Sequence, residues 1–192
     1  HYPCFNIKQY LNETNLHPVL NFLYITLSEL SDRIIDKIKD DQTIVLLLNT
    51  LNKHGLAEQR RIFIKLINSK IDVPIIIRRG YEGLSASVLQ LYSSTDIGGL
   101  LIDGLGNGIY LSAEDCGPLN DINRASFGIL QASRTRITKT DYISCPSCGR
   151  TQFDLQEATT VVRERTSHLK GLKIAIMGCI VNGPGEMADA DY

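Results

Sequence analysis

The sequence has almost no charge imbalance: 20 lysines and arginines against 21 aspartates and glutamates leave a formal net charge of −1. That balance supplies no electrostatic reason to bind nucleic acid or an anionic membrane surface. No apolar run approaches the roughly 20 residues that a membrane-spanning helix needs, and no charged-then-apolar leader opens the chain. A cytoplasmic or organelle-stromal protein is the expectation. The chain also lacks an initiator methionine. It begins His1-Tyr2-Pro3 and stops at Asp189-Ala190-Asp191-Tyr192, just past a glycine-rich loop, so a piece of a longer polypeptide is expected. Finally, it lacks an even set of cysteines. There are 5, two of them in Cys145-Pro146-Ser147-Cys148. In a protein that is not secreted, a C-x-x-C points to a metal, a cluster or a redox couple rather than a disulfide framework.

Apolar residues make up 43% of the chain, enough for a core without staples. Between about residues 20 and 135 they fall into short runs separated by amphipathic stretches. Strands are expected at 22–27, 43–48, 73–77 and 99–103, and helices at 28–40, 56–69, 84–92 and 119–133. Uniformly apolar strands separated by helices predict an α/β fold with a parallel sheet. Four such units make half of an eight-fold barrel or a small doubly wound sheet. The expectation that the start is cut from a longer chain favours part of a TIM-barrel-like (β/α) domain over 1–137. The character then changes. The polar stretch Ile137 to Tyr142 leads into the cysteine pair, Asp154 caps a helix to about Leu169, and Leu172 to Met177 reads as a strand. That strand empties into Gly178-Cys179-Ile180-Val181-Asn182-Gly183-Pro184-Gly185-Glu186, and a small α+β domain over 138–192 is expected.

Cys145 and Cys148 lie close enough to bind one metal centre from a single turn, but alone they are ambiguous between zinc, a cluster and a dithiol, with zinc or a structural role weighing most. Cys179 adds a third thiol beside glycines, whose backbone can approach an inorganic core and donate to its sulfides. A fourth ligand could come from Cys116, His168, Glu186 or a partner. Glu186 is the best placed, seven residues past Cys179 on the same loop. Arg134, Arg136, Thr138 and Lys139 form a basic stretch able to hold a diphosphate, though composition alone reads it as a solvated linker. Asp103 to Gly108 lacks the spacing and lysine of a phosphate loop and reads as a turn, and Arg78-Arg79-Gly80 reads as a loop.

Taken together, Cys145 to Arg150, Phe153-Asp154-Leu155 and above all Met177-Gly-Cys-Ile-Val-Asn-Gly-Pro-Gly-Glu186 resemble the 4-hydroxy-3-methylbut-2-enyl diphosphate synthase (IspG/GcpE) family. The motifs run from about Phe127 to Tyr192. Residues 20–126 resemble the later half of the extra barrel-like domain of the three-domain type. The resemblance implies an iron–sulfur oxidoreductase that reductively opens 2-C-methyl-D-erythritol 2,4-cyclodiphosphate, with electrons from ferredoxin or flavodoxin. It implies a 4Fe–4S cluster on Cys145, Cys148, Cys179 and Glu186, and it matches Arg136 and Thr138 to diphosphate contacts. Asn182 falls in the same loop, near the cluster. A carboxylate is a harder and more readily displaced donor than thiolate, so the odd ligand suits catalysis over simple electron carriage. The catalytic barrel of the family is absent from this sequence, so turnover by this polypeptide alone is not expected. Two competing classes remain: a zinc-stabilised binding module using Glu186 or His168, and a dithiol oxidoreductase built on Cys145 and Cys148.

Overall fold

The runs of branched aliphatic residues become strands because burial of one face against helices rewards them, and the amphipathic stretches become the helices that cover that face. The computed structural model describes residues 1–181 and 183–192. These form two compact units, His1–Ser133 and Arg134–Tyr192.

The first unit holds strands β1 (Cys4–Phe5), β2 (Asn21–Ile25), β3 (Ile44–Leu48), β4 (Ile75–Glu82) and β5 (Gly108–Glu114) in one sheet. All neighbours pair in parallel, and their spatial order is their chain order. A doubly wound sheet reverses its strand order at a switch point, and this one does not. The helices are α1 (Ile7–Asn12), α2 (Asp32–Lys39), α3 (Leu56–Asn68), α4 (Ala86–Ser93), α5 (Gly99–Ile102) and α6 (Leu119–Ala132). Strand alternation sends Leu23, Ile25, Leu46, Leu48, Ile75 and Ile77 into one core with Ile34, Ile38, Ile62, Phe63 and Leu66. Each such side chain contributes about 1.5–3 kcal/mol on burial. Phe22, Tyr24, Val45, Ile76 and Arg78, on the other face, are half-buried. Buried Gln59 ties α3 to the sheet by donating from Nε2 to the carbonyls of Leu48 and Arg78.

One strand expectation is corrected. Gly99–Ile102 is helical, joined to α4 through a single π-turn at Ser94–Gly98. Leu89, Ser93, Ile97 and Leu100 are buried at intervals of three to four, a helical period that continues past residue 92. A short apolar run cannot by itself distinguish a strand from a buried helical segment, and here the preceding turns decide. The fourth long strand lies further on, in β5, where half-buried and exposed positions alternate too loosely to stand out. Arg78-Arg79-Gly80 is likewise inside β4 rather than in a loop.

The second unit pairs β6 (Asp141–Ser144) with β7 (Lys173–Ile176) in parallel, connected through α7 (Leu155–Thr166), and ends with the single turn α8 (Gly183–Glu186). Asp154 caps α7, accepting from the backbone N–H groups of Gln156 and Glu157 at 2.9 and 3.0 Å. The hydroxyl of Thr140 binds the carbonyls of Thr166 and Leu169, fastening the start of β6 to the end of α7. None of the helices among the described residues is long and apolar enough to cross a membrane.

Candidate metal centre

Parallel pairing sets the geometry of this site. Ser144 stands opposite Ile176, so both strands release the chain at the same end of the sheet. Cys145 follows β6 directly, and Met177-Gly178-Cys179 follows β7. The two loops meet there: Cys145 Sγ accepts the backbone N–H of Gly178 at 3.3 Å. Gly178 has no room for a side chain, since a Cβ would run into Thr151, with Cγ2 2.9 Å away. Thr151 in turn braces the C-x-x-C loop. Its hydroxyl accepts the N–H of Cys148 at 3.4 Å, and its own N–H donates to the Cys148 carbonyl at 2.9 Å. Between the two cysteines, Ser147 takes a left-handed backbone conformation, φ 63°, which turns the loop sharply.

Cys145 and Cys179 are half-buried and Cys148 is exposed, and none of the three is in a disulfide. Glu186 is exposed at the end of α8. Among the described residues, no three histidines, cysteines or carboxylates are gathered as a finished metal-binding set. The fold thus brings the two cysteine loops to one end of the sheet without closing all four side chains on a point. The donors nevertheless suit an iron–sulfur group: soft thiolates, a backbone N–H already directed at a sulfur, and a glycine at the closest approach.

Two other sequence candidates have different surroundings. His168 is exposed beyond the far end of α7, roughly 17 Å along the helix from Leu155, which lines a cavity with Cys145. Cys116 belongs to the first unit, where it is buried. Its Sγ accepts from Leu84 N–H at 3.3 Å and donates to the Glu114 carbonyl at 3.2 Å.

The expected diphosphate contacts lie on the segment before β6. Arg136 is exposed and Thr138 half-buried. Arg134 is engaged with Asp189 at 2.9 Å, and its hydrogen bond and charge hold the Asp189 carboxyl below the usual range. Asn182 lies outside the described residues. A cavity of about 360 Å³ opens between Cys145, Ser147 and the α7 residues Gln156, Thr159 and Arg163. Thr151 and Thr140, which brace the site, carry no periodicity or motif in the sequence. Only their proximity to the cysteine loop and to β6 could have marked them.

Residues 141–192 match the family model described as GcpE protein C-terminal domain. Over its whole length the chain is 49% identical to the 4-hydroxy-3-methylbut-2-en-1-yl diphosphate synthase (flavodoxin) of Parabacteroides distasonis, covering 31% of that protein. Its likeness to the ferredoxin-named chloroplastic synthase of Arabidopsis thaliana is 52% over 69% of this chain and 18% of the relative. The flavodoxin-named synthase of Leptospira interrogans is also 52% identical, over 66% of this chain and 19% of the relative. The chain spans less than a third of the length of the curated relatives it matches. On the strength of the matched loop and of identity along the entire sequence, the chain belongs to the 4-hydroxy-3-methylbut-2-en-1-yl diphosphate synthase family, corresponding to the C-terminal part of its relatives.

Proposed function

We propose that this chain is the cluster-bearing end of an oxidoreductase of isoprenoid-precursor synthesis. The enzyme converts 2-C-methyl-D-erythritol 2,4-cyclodiphosphate to (E)-4-hydroxy-3-methylbut-2-enyl diphosphate. On this reading 1–137 is part of a barrel-like insert domain and 138–192 begins the 4Fe–4S domain. The sequential, unreversed strand order of the first unit is the order a barrel segment has. The observation that carries the functional reading is the meeting of the two cysteine loops at one end of the β6–β7 pair, with Gly178 N–H on Cys145 Sγ.

Cys145, Cys148, Cys179 and Glu186 would hold the cluster. When bound, that group supplies single electrons and a Lewis-acidic iron. The rest is the work of the chain. The N–H of Gly178 stabilises negative charge on the Cys145 sulfur. Glu186 sits exposed on a one-turn helix, from which it would supply the one oxygen donor of the set. Arg136 and Thr138 bind and orient the diphosphate. The names of the relatives point to flavodoxin or ferredoxin as the electron source.

The test is anaerobic purification of the full-length enzyme. About four irons per chain with a cubane spectrum support the reading; colourless protein with one zinc replaces it with the zinc-stabilised module. In the same protein Glu186→Ala should cripple turnover and leave substrate binding largely intact, measured separately by calorimetry. Unchanged turnover would remove Glu186 from the mechanism.

A further inference from the structure

Two adjacent arginines on β4 have opposite surroundings. Arg79 faces the helices, only 2% exposed, and is ion-paired with Asp96 at 2.8 Å. It also donates to the carbonyls of Asn52 and Lys53 at 3.1 and 2.9 Å. Its charge is cancelled and its donors are taken.

Arg78 points to the other face of the sheet. Its Nη1 donates to Asn49 Oδ1 at 2.8 Å, and its guanidinium lies 5.6 and 5.5 Å from the ring centres of Tyr24 and Tyr110. None of the ion pairs among the described residues includes it. Its Nε is buried with no hydrogen-bond partner among them. A buried donor left unmatched costs about 1–3 kcal/mol, more when charged, so such a group calls for a reason. Both tyrosine rings lie within cation–π distance of the guanidinium.

Beside Arg78 opens a cavity of about 410 Å³, lined also by Asn49, Asn52, Lys53, Tyr81 and Tyr92. It lies at the carboxyl ends of β3 and β4, the end of parallel sheets where α/β proteins bind ligands. A Cβ built at Gly80 meets nothing within 4 Å, so a ligand can approach the backbone there. Glu82 is the one carboxylate in the lining, against the uncompensated charges of Lys53 and Arg78.

We propose that this cavity is a second anion site, one that takes the phosphoryl group of a small molecule. Arg78 supplies the remaining N–H groups of its two outer nitrogens, Asn49 fixes its orientation by accepting from Nη1, and Lys53 adds the second positive charge. The site lies wholly in the first unit and does not depend on the cluster reading.

Unmutated full-length enzyme is treated with phenylglyoxal, and the rate of modification at each arginine is read by peptide mass mapping. Inorganic phosphate, inorganic diphosphate and glycerol phosphate are compared with chloride at equal ionic strength. Modification of Arg78 should slow at least tenfold with one of the three, while exposed Arg33 reacts unchanged. Strongest protection by diphosphate assigns a diphosphate ligand, and by glycerol phosphate a phosphate monoester. In equilibrium dialysis, Arg78→Met should bind the protecting anion at least tenfold more weakly at one site per chain and leave turnover intact. No anion-specific slowing, or an Arg78 that is unreactive with and without anions, would overturn the proposal.

Discussion

In the unit His1–Ser133, Leu23, Ile25, Leu46, Leu48, Ile62 and Ile77 are shut away from solvent, each at 0% exposure. In the unit Arg134–Tyr192 the buried apolar side chains among the described residues come down to Leu155 and Ile174. The first is held by apolar burial between sheet and helices. The second is held by polar ties: the Thr140 hydroxyl on α7, the Asp154 cap, and the bond from Gly178 to the Cys145 sulfur. Metal–ligand bonds would add to these polar ties in the reading proposed above. The difference shows that neighbouring stretches of one sequence can be folded by different forces.

Removing the proposed cluster should expose that difference most strongly. In the full-length enzyme, stripping iron should raise amide exchange in β6, β7 and α7 by orders of magnitude while leaving β2–β4 unchanged. Equal protection before and after would erase the contrast. Next in size is Leu46→Ala, which cuts a 0%-exposed side chain from the larger core. A loss of about 2–5 kcal/mol in denaturant unfolding of the first unit is expected, with the cluster spectrum intact.

Gly178→Ala forces a methyl against Thr151. About 1–3 kcal/mol of overpacking should appear as weaker iron retention, relieved in part by adding Thr151→Ala, judged against Thr151→Ala alone, because the Thr151 hydroxyl is the nearest atom. If the second substitution gives no relief, the contact is not what makes glycine necessary.

The smallest effect is acid sensitivity confined to the first unit. Burial pushes the Asp41 carboxyl up, but hydrogen bonds from the Thr43 hydroxyl and N–H and from the Tyr10 hydroxyl outweigh it and hold it below the usual range. A depressed carboxyl stabilises the fold above its unfolded pKa, near 4, and that contribution is lost as pH falls through the folded value. Asp41→Asn should therefore flatten the stability of the first unit against pH below about 4.

The two regions also differed in how openly the sequence declared them. Strands β2, β3 and β4 were legible because both the helix-facing and many of the opposite positions are branched aliphatics, and α3 and α6 because their apolar residues recur at helical spacing. Strand β5 was not, since Gly108, Tyr110 and Ser112 interrupt the apolar run that Gly99–Ile102 imitates. Strand β6 hid behind its polarity: Asp141 and Ser144 sit on a pair with little to bury. At the candidate metal centre the cysteines and Glu186 stood out by motif, whereas the bracing role of Thr151 depends on a turn that only the folded backbone reveals.

The tie between Arg79 and Asp96 has a consequence for how this sequence can vary. Either residue, replaced alone, strands a charge in the interior at a cost of about 3–5 kcal/mol, and Gly55 offers no slack, since a Cβ there would lie 2.5 Å from the guanidinium. Descendants of this chain should therefore either inherit Arg79, Asp96 and the small residue at 55 as a set, or exchange them together.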